Sequence, residues 1–379
     1  MFATAETPAS DQAAGAAAAL AAMSVLTTEE DPDYAERCLE TAQALYRFAV
    51  AHRGLGFSGG YYGSSYDDDE MSWAAVWLYA ATRTESYLED ITAHTEAGVY
   101  TGFLSKIVKD RGNTWQNIWV HSWDTVWGGV FAMLAPLSKG VLDDSFNAEY
   151  WYYFRWNAEY WSGGSVPHMG NSSGDSYLAT SPAGFSVLNT WGSARYNTAA
   201  QLCALVYRKH SAQDPDGSAE QGEKLSQWAL SQMNYIMGDN PLHRSMITGF
   251  TAREGDTYVE HPHHRAAHGS LTNDMFDPPQ HRHVLWGALA GGPDAGDDHN
   301  DATNDFISNE VAIDYNAGFV GALAGFYHFF GEDQPAEVWA PEPEPAGKPY
   351  YVDAKIEQEN NQRTQVTVRV HQELVTPPT

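Results

Sequence analysis

The stretch SWAAVWLYAATRT, Ser72–Thr84, places small and large apolar residues on one face at helical spacing. Ala74, Ala75, Leu78 and Tyr79 form that face. A polar turn and a second helical pattern, from residue 85 toward residue 99, follow it. Because a helix that buries small residues can pack closely against a neighbour, the stretch predicts a helical hairpin that faces inward.

The same pattern recurs along the chain. Further helices are predicted over residues 13–26, 34–53, 124–137, 145–161, 197–210, 223–237 and 309–330. Strand patterns are sparse before residue 340. Repeated helical hairpins with small inward-facing residues predict an all-α chain arranged as an α/α toroid or solenoid.

Three segments depart from this repeat. Between Met237 and Ser308 the helical periodicity fails, and His, Pro, Gly and Asp accumulate. A long irregular segment inside a helical domain is usually functional or disordered, and the density of His and Arg favours function. Residues 333–348 are rich in Pro and Glu, which predicts a stiff solvated linker. Residues 351–356 and 364–370 alternate with strand spacing, which predicts the start of a β domain.

Composition excludes several classes of protein. The 379 residues include 21 basic and 49 acidic ones, a net charge of -28 at pH 7. Binding to nucleic acid or to anionic membranes needs basic clusters, so this balance argues against both partners. No apolar run reaches the roughly 20 residues that span a bilayer. The residues after Met1 lack the pattern of a secretory signal, so none is expected in this chain.

Two residue types leave interpretations open. Cys38 and Cys203 lie within amphipathic helical patterns and are interpreted as buried thiols. The 13 Trp, 21 Tyr and 15 Phe fit a large core, or a cleft whose flat rings stack on sugars. Composition alone does not choose between the core and the cleft.

A single glutamate interrupts the apolar run NEVAIDYNAG, Asn309–Gly318. Ala312, Ile313 and Ala317 follow Glu310 at helical spacing, which predicts that this carboxylate lies at the head of a buried helix. Burying a carboxylate is unfavourable unless it has a partner or a chemical task. An apolar environment also raises the pKa of a carboxyl group, as a general acid working near neutral pH requires. Glu310 is therefore a candidate acid, and a buried structural glutamate is the alternative.

The irregular segment contains HPHHRAAHGS, His261–Ser270. Three histidines within four positions invite a zinc interpretation, but Pro262 and the spacing do not match a helical ligand pair. A solvated loop is a second alternative. We favour a third, a polar binding cluster of His263 and Arg265.

With these motifs the chain resembles glycoside hydrolase family 9, whose members are mostly endo-acting, inverting cellulases on an (α/α)6 barrel. HPHHR and NDATNDFISNEVAIDYNAG resemble the two signatures of the family. Further similar segments, in family order, are DDDEMSWAAVWLYAATRTESYL, NTWGSARYNTAAQLCALVY and MNYIMGDNPLHRSMITGF. The resemblance extends over about residues 10–332.

The resemblance implies roles for individual residues. Glu310 matches the general acid that protonates the glycosidic oxygen, and Asp301 matches the other acidic residue of the signature. His263 and Arg265 match the loop that contacts substrate, with His263 counted among the catalytic residues. Five residues fall where the family places cleft side chains that stack on or hydrogen-bond glucose units: Trp191, Arg195, Trp119, Tyr61 and Tyr315. His299 stands where the family usually has an aromatic ring, so the packing around Asp301 is left open.

The segment SYDDDE, residues 65–70, resembles the loop that binds calcium in many family members. The implied ligands are Ser65, Asp69, Glu70 and the distant Asp124. Hard carboxylate oxygens grouped on a loop suit Ca²⁺. Tyr66 stands where the family usually has Gly, and an acidic helix N-terminus favoured by the helix dipole is the alternative. The resemblance implies no cofactor for the chemistry itself.

Inverting hydrolysis needs a second carboxylate, about 6.5–9.5 Å from the acid, to activate water. The resemblance implies that this base lies in an Asp-Ala-Gly-Asp segment near the start of the domain. Asp294–Asp297 has that sequence, but it stands where the family has a variable acidic loop, and we interpret it as unrelated to the base. Met1 aligns inside the family domain, so the expected structure is an incomplete barrel that lacks its first helices.

The end of the chain carries a second, shorter resemblance. PYYVDAKIEQENNQRTQVTVRV, residues 349–370, is similar to the opening of a family 3 carbohydrate-binding module. The implied organisation is a partial catalytic domain over residues 1–332, a linker over 333–348 and a fragment of a β-sandwich module over 349–379.

Together the resemblances imply part of a secreted endo-β-1,4-glucanase that acts on cellulose and cello-oligosaccharides, impaired here because the base segment is absent. A non-catalytic glycan-binding protein is the alternative, since it would keep the aromatic cleft without turnover. An α/α terpenoid synthase is a further alternative, in which Asp67–Glu70 holds Mg²⁺ and diphosphate. It would also need basic phosphate contacts, which this acidic chain places poorly.

Overall fold

The computed structural model describes residues 3–56, 62–110, 113–114, 121–163, 178–270, 272, 274–331, 350–360 and 363–372. Its helices are α1 (Ser10–Thr27), α2 (Pro32–Ala51), α3 (Asp68–Thr82), α4 (Ser86–Thr92), α5 (Trp127–Leu137), α6 (Asp144–Trp161), α7 (Ser193–His210), α8 (Ala219–Ile236), α9 (Arg265–His268), α10 (Phe306–Asn309) and α11 (Ile313–Phe326). Helix α1 packs against α2 and α3, α5 against α6, and α7 against α8 and α11. The predicted helical hairpins are therefore confirmed.

Small residues bring these helices together. Ala14, Ala17 and Ala21 recur along one face of α1 and are fully buried. Ala74 and Ala75 of α3 are buried with them in the same core cluster. Without bulky side chains between them, the helix backbones approach closely, which gives the dense packing of a helical repeat.

Large aromatic rings fill the centre of the same core. Trp127 and Phe131 of α5 pack beside Tyr150, Trp151 and Tyr153 of α6, and all five side chains are nearly or fully buried. Most of the unusual aromatic content of this region thus serves the core. Other rings remain partly exposed, and some of these surround the candidate site.

The strands before residue 340 are short. In the described ranges they form three two-stranded ladders: β1 (Val108–Asp110) with β2 (Asn113–Thr114), β3 (Ala179–Thr180) with β4 (Ser186–Val187), and β5 (Arg244–Ser245) with β6 (Thr257–Tyr258). In the described part of the segment between Met237 and Ser308, β5, β6, α9 and the start of α10 alternate with loops. The predicted irregular segment is confirmed.

The chain separates into two compact units, Met1–Pro335 and Ala336–Thr379. In the second unit β7 (Tyr350–Asn360) and β8 (Arg363–Gln372) pair antiparallel, with Val352 opposite Val370 and Ile356 opposite Val366. The two predicted strands are confirmed. The predicted linker, residues 333–348, lies outside the described residues.

Two predicted helices were wrong at their ends. The helix expected from residue 85 toward 99 stops at Thr92, because Ala93 takes an extended conformation and His94 then pairs with Tyr100. The helix expected over residues 309–330 is interrupted, since Glu310 also has an extended backbone and α11 begins only at Ile313. Glu310 therefore lies in a short connection before a helix rather than at its head.

Two further sequence interpretations can be compared with the structure. Cys38 and Cys203 are buried free thiols, as predicted, and burial raises the pKa of Cys203 to about 12. Among the described residues, no helix combines the length and the hydropathy needed to cross a membrane.

Candidate active site

Glu310 is placed by a backbone pairing between two distant segments. His263 and Glu310 form a parallel bridge, and the His263 N–H donates to the Asn309 carbonyl oxygen over 2.7 Å. The connection between α10 and α11 is thereby tied to the irregular segment. This explains why the helix expected from the sequence is interrupted at Glu310.

Three side chains donate hydrogen bonds to the Glu310 carboxylate. Trp191 Nε1 lies 2.9 Å and the Tyr315 hydroxyl 3.0 Å from Oε2, and the Tyr62 hydroxyl donates to Oε1. Trp191 and Tyr62 are each 44% exposed, so the carboxylate lies among rings that solvent can reach. Such rings can stack on the apolar face of a sugar.

The acidity of Glu310 differs from the sequence-based expectation. Burial alone would raise its pKa, but the hydrogen bonds from Tyr62, Trp191 and Tyr315 and the positive charge of Arg195 outweigh burial and lower the pKa. The expected rise of the pKa is therefore wrong for the site without a ligand. The physical reason is that the sequence shows the apolar neighbours of Glu310 but not its distant donors.

Arg195 braces the aromatic side of the site. Its guanidinium lies 4.5 Å from the centroid of the Tyr315 ring, and Nη1 contacts the Asp314 carboxylate at 3.1 Å. The side chain is 5% exposed, and its Nε has no hydrogen-bond partner among the described residues. Arg195 thus fixes the ring whose hydroxyl donates to Glu310.

A glycine allows Trp191 to reach the carboxylate. Gly192 precedes α7 with φ of 68°, a left-handed conformation that side chains rarely adopt. A Cβ built at this position would lie 2.6 Å from the Tyr315 hydroxyl oxygen. Both the turn and the space beside Tyr315 therefore require glycine here.

Tyr62 was not predicted from the sequence as a site residue. It lies 248 residues before Glu310, and its ring packs edge-on against Trp123 with centroids 5.3 Å apart. The prediction chose the preceding Tyr61, which lies outside the described residues, as does the predicted cleft residue Trp119. The pair Tyr61-Tyr62 was the available signal, but spacing alone cannot say which ring of a pair faces the site.

His263 and Arg265 differ in their surroundings. His263 Nδ1 lies 2.6 Å from the Thr303 carbonyl oxygen, and the His263 ring packs edge-on against Phe306. A carbonyl only accepts hydrogen bonds, so Nδ1 carries a proton, and in the neutral ring Nε2 is then the acceptor. Arg265 begins α9 and is exposed, which leaves its charge available to a ligand.

Asp301 is hydrogen-bonded to the backbone of the segment that carries His263. Its two carboxylate oxygens accept the backbone N–H groups of Glu260 and His261, over 3.0 and 2.9 Å. Among the contacts of the described residues, none joins Asp301 to the Glu310 carboxylate. The geometry gives Asp301 a positioning role for the segment that carries His263, although the sequence assigned it to the catalytic set.

The position left open at His299 is buried and polar. His299 Nε2 lies 3.2 Å from the Ser308 carbonyl oxygen, and Arg244 donates to the His299 carbonyl over 3.1 Å. Burial lowers the pKa of His299. A neutral imidazole therefore replaces the aromatic ring expected from the family and links the loop to α10.

The Asp294–Asp297 segment forms a turn. Asp294 Oδ1 accepts the N–H groups of Gly296 and Asp298, and Asp297 accepts from the Ala183 N–H and the Tyr235 hydroxyl. Asp297 is only 5% exposed. Asp294 thus stabilises its own turn, and Asp297 ties that turn to Ala183 and Tyr235 in distant segments. That this segment is not the base stays a prediction.

The four predicted calcium ligands lie near the start of α3 in two pairs, Ser65 with Asp124 and Asp69 with Glu70. Ser65 donates to both oxygens of Asp124, from its N–H and its hydroxyl, each over 2.7 Å. Asp69 accepts the Val126 N–H over 2.8 Å. Asp69 Oδ1 and Glu70 Oε2 are buried and accept no hydrogen bond from another donor of the described residues, while the two carboxyl groups lie within hydrogen-bond distance of each other.

Burial shifts both carboxyl groups of this cluster. Burial raises the pKa of Asp69 to about 6, with the charge of Asp124 adding to it. Burial and the neighbouring Asp69 raise the pKa of Glu70 to about 10. In the described residues no group of three or more His, Cys, Asp or Glu side chains is arranged to hold a metal ion.

The other two acids of the DDDE run point elsewhere. Asp67 pairs with Arg53, which also contacts Asp68 over 3.1 Å, and Asp67 accepts a hydrogen bond from Ser10. Asp67 and Asp68 therefore neutralise Arg53, while Asp69 and Glu70 are buried. The run does not present one shared face to a metal–diphosphate group.

Comparison with known proteins connects these features. Residues 1–323 match the sequence profile of glycosyl hydrolase family 9. Endoglucanase A of Bacillus pumilus is 36% identical over 365 residues, which are 95% of this chain and 50% of the relative. The catalytic domain of Clostridium thermocellum CelT has a TM-score of 0.69 at 39% identity, covering 88% of this chain and 63% of that one.

A third relative was solved with a ligand. The structure of endoglucanase CelQ from Clostridium thermocellum, complexed with cellotetraose, has a TM-score of 0.67 at 31% identity and covers 96% of this chain and 55% of that one. This chain therefore spans about half to two thirds of the length of these relatives. The related structures are (α/α)6 barrels, so the expected fold class is confirmed.

Proposed function

This chain belongs to glycosyl hydrolase family 9. We propose that it contributes the catalytic acid of an endo-acting β-1,4-glucanase, in which Glu310 is the general acid that protonates the leaving glycosidic oxygen. The observation that carries the proposal is the Glu310 carboxylate, which is held by the buried Tyr315 and by Trp191 and Tyr62, whose rings are partly exposed. These rings suit the apolar faces of glucose units.

An acid must hold a proton when the substrate is bound. In the free site three donors favour the ionised form of Glu310. A glycosidic oxygen only accepts hydrogen bonds, so a bound glucan that displaces the Tyr62 hydroxyl from Oε1 would favour a protonated carboxyl group that can donate to it. Exclusion of water by the sugar rings also raises a carboxyl pKa. Substrate binding would thus convert Glu310 into the protonated acid.

Inversion further requires a base on the opposite face of the sugar. Asp294, Asp297 and Asp301 are engaged with backbone N–H groups and are poor candidates for it. The paired-aspartate segment expected from the family occurs in this sequence only at Asp294–Asp297. We therefore propose that residues 1–379 by themselves bind poorly and hydrolyse cellulose negligibly. The exposure of Ile313 and Val320 on α11, 91% and 60%, supports this view, since exposed apolar faces favour association over a rigid site.

The substrate class follows from the relatives and from the rings. The related endoglucanase CelQ was solved in complex with cellotetraose. We propose cellulose and cello-oligosaccharides as the partners of this chain, with secretion of the parent protein. The β7–β8 hairpin, Tyr350–Asn360 and Arg363–Gln372, is proposed to open a carbohydrate-binding module.

A structural calcium ion is also proposed. Ser65, Asp69, Glu70 and Asp124 would hold it, and the adjacent buried carboxyl groups of Asp69 and Glu70, which accept from no other donor of the described residues at Asp69 Oδ1 and Glu70 Oε2, fit a cation. When bound, the ion would supply the positive charge that two adjacent buried carboxylates lack. It would stabilise the turn into α3 and has no role in the chemistry.

The alternative of a non-catalytic glycan-binding protein makes a different prediction about turnover. Cellotetraose binding and carboxymethyl cellulose cleavage are measured separately, on residues 1–379 and on a version extended upstream to a family segment with paired aspartates. In the extended version Glu310→Gln should lower turnover by about 10²–10⁴-fold and leave the dissociation constant nearly unchanged, because the amide cannot donate the proton. Glu29→Gln, at an exposed position, is the matched control.

Three outcomes would change the proposal. Equal turnover of the Glu310→Gln variant and the parent removes the acid assignment. Binding without turnover in the extended version favours the glycan-binding alternative. Cleavage by residues 1–379 alone would mean that Asp294 or Asp297 acts as the base. His263→Ala and Arg265→Ala should weaken binding together with turnover.

A further inference from the structure

Three histidines form a compact cluster beside the segment that carries His263. The ring centroid of His281 lies 5.4 Å from that of His261 and 5.0 Å from that of His268. His268 is 3% exposed and bonds through Nε2 to the Pro278 carbonyl, while His261 Nε2 lies 3.3 Å from Gln280 Oε1. Among the hydrogen bonds of the described residues, none joins these three rings to the Glu310 carboxylate.

His281 connects this cluster to the site through one residue. His281 Nε2 lies 2.8 Å from Thr303 Oγ1, and the Thr303 carbonyl accepts the hydrogen bond from His263 Nδ1 over 2.6 Å. His263 in turn pairs with Glu310 through its backbone. The segment that carries Thr303 is thus held between His281 on one side and His263 on the other.

The surroundings of His281 keep it neutral. Burial and the neighbouring His268 and His261 lower the pKa of His281 to about 4, against a smaller opposing effect of Asp301. His264 also lies close enough to disfavour the charged form. His281 Nδ1 is buried and has no hydrogen-bond partner within the described part of the chain. A proton added there would place an unpaired charge among other histidines.

We propose that His281 is a positioning residue, which holds the Thr303 segment so that His263 keeps its tautomer and its alignment with Glu310. The Thr303 carbonyl fixes the proton on His263 Nδ1, which leaves His263 Nε2 as an acceptor toward a sugar hydroxyl. Only this last step rests on the proposed function. The hydrogen-bond relay from His281 to His263 is a property of the chain itself.

The test follows the His263 ring proton by NMR in residues 1–379 labelled with ¹⁵N-histidine, at neutral pH. His281→Phe keeps a ring against His268 and His261 but removes the bond to Thr303, and Thr303→Val removes the same bond from the other side. Both variants should make the His263 Nδ1 proton exchange with water about 10-fold faster, as expected for a lost hydrogen bond. His281→Gln should restore the slow exchange, because its amide reaches a similar position.

The controls separate positioning from general destabilisation. His243→Gln changes a histidine whose side chain is 74% exposed and should leave the His263 signal unaltered. Because the two substitutions remove one shared bond, the His281→Phe and Thr303→Val effects should not add. If His281→Phe does not fold, the smaller Thr303→Val change decides.

The positioning role of His281 and the proposed function are contradicted by different results. An unchanged His263 ring proton in folded His281→Phe or Thr303→Val protein overturns the positioning role. Cellotetraose titration of the version extended upstream is the second arm: absence of binding by that version counts against the proposed function, while the ring proton of residues 1–379 still reports on His281. Binding that weakens in His281→Phe and recovers in His281→Gln supports both.

Discussion

At the residue scale, the chemistry of Glu310 depends on its three donors. Tyr62 and Trp191 are the most exposed of these donors. Burial and the Glu310 carboxylate raise the pKa of the Tyr62 hydroxyl to about 12. The hydroxyl therefore stays protonated throughout the working range of pH and always donates. A group that is always a donor favours the ionised carboxylate, which a general acid must overcome when substrate binds.

Tyr62→Phe should therefore raise the pKa of Glu310. In the wild type the lowered pKa contributes stability that is present above the unfolded value of about 4.5 and is lost as the pH falls through the folded value. The variant should lose part of that acid-side dependence. Carboxyl ¹³C NMR titration measures the shift directly, with Tyr327→Phe, an exposed tyrosine, as control. An unchanged titration of Glu310 would contradict the role of the Tyr62 hydroxyl.

At the scale of elements, α11 is held against α7 by glycines. A Cβ at Gly318 would lie 2.9 Å from the Ala199 nitrogen and 3.0 Å from its Cα, which are backbone atoms that cannot move aside. Tyr315, one turn earlier, is thereby brought within reach of Glu310 and Arg195. The close approach of the two helices thus serves the site as well as the core.

Gly318→Ala should destabilise the fold by about 1–3 kcal/mol, the usual effect of overpacking a close contact. Gly15→Ala on α1 is the matched control, because a Cβ added there would meet nothing within 4 Å and a helical alanine should stabilise by roughly 0.5–1 kcal/mol. Urea denaturation of the two variants gives the difference. Equal effects of both substitutions would mean that the helices do not pack as closely as described.

The acidic start of α3 makes a prediction about pH and calcium. Because the folded state raises the pKa of Glu70 from 4.5 to about 10, folded protein retains a proton that the unfolded chain releases. Without calcium, stability should therefore fall as the pH rises from about 4.5 toward 10. Calcium binds the ionised carboxylates, so it should raise the melting temperature most at the alkaline end.

Melting curves at pH 5 and pH 8, with chelator and with added Ca²⁺, measure this effect. The double change Asp69→Asn and Glu70→Gln should abolish both the calcium response and the pH dependence from this cluster. Glu89→Gln, an exposed position on α4, should change neither. A melting temperature that calcium does not alter at pH 8 argues for the acidic helix start without an ion.

At the scale of the whole molecule, the chain consists of two units of unequal size, Met1–Pro335 and Ala336–Thr379. The boundary falls within the segment interpreted as a linker from its Pro and Glu content. Limited proteolysis should therefore cut first between residues 334 and 348, because that sequence offers few apolar anchors. Mass spectrometry of the early fragments identifies the site. Early cleavage within residues 124–330 would contradict the domain boundary.

The sequence by itself determined the helical architecture, and it predicted Glu310, Trp191 and Tyr315 as candidate site residues, which the fold brings into contact. Apolar periodicity is local, so the helix pairs and the irregular segment could be predicted from neighbours a few residues apart. The signatures around His263 and Glu310 could be recognised for the same reason. The hairpin β7–β8 followed from alternation over two short runs.

Only the tertiary structure decided how those residues act. Tyr62 reaches Glu310 across 248 positions of sequence, and that contact helps to reverse the expected direction of the Glu310 pKa shift. The pairing of Glu310 with His263 interrupts a helix that local periodicity predicts, and backbone N–H groups occupy the Asp301 carboxylate. Acidity, tautomer and charge depend on distances between segments far apart in sequence, and those distances exist only once the chain has folded.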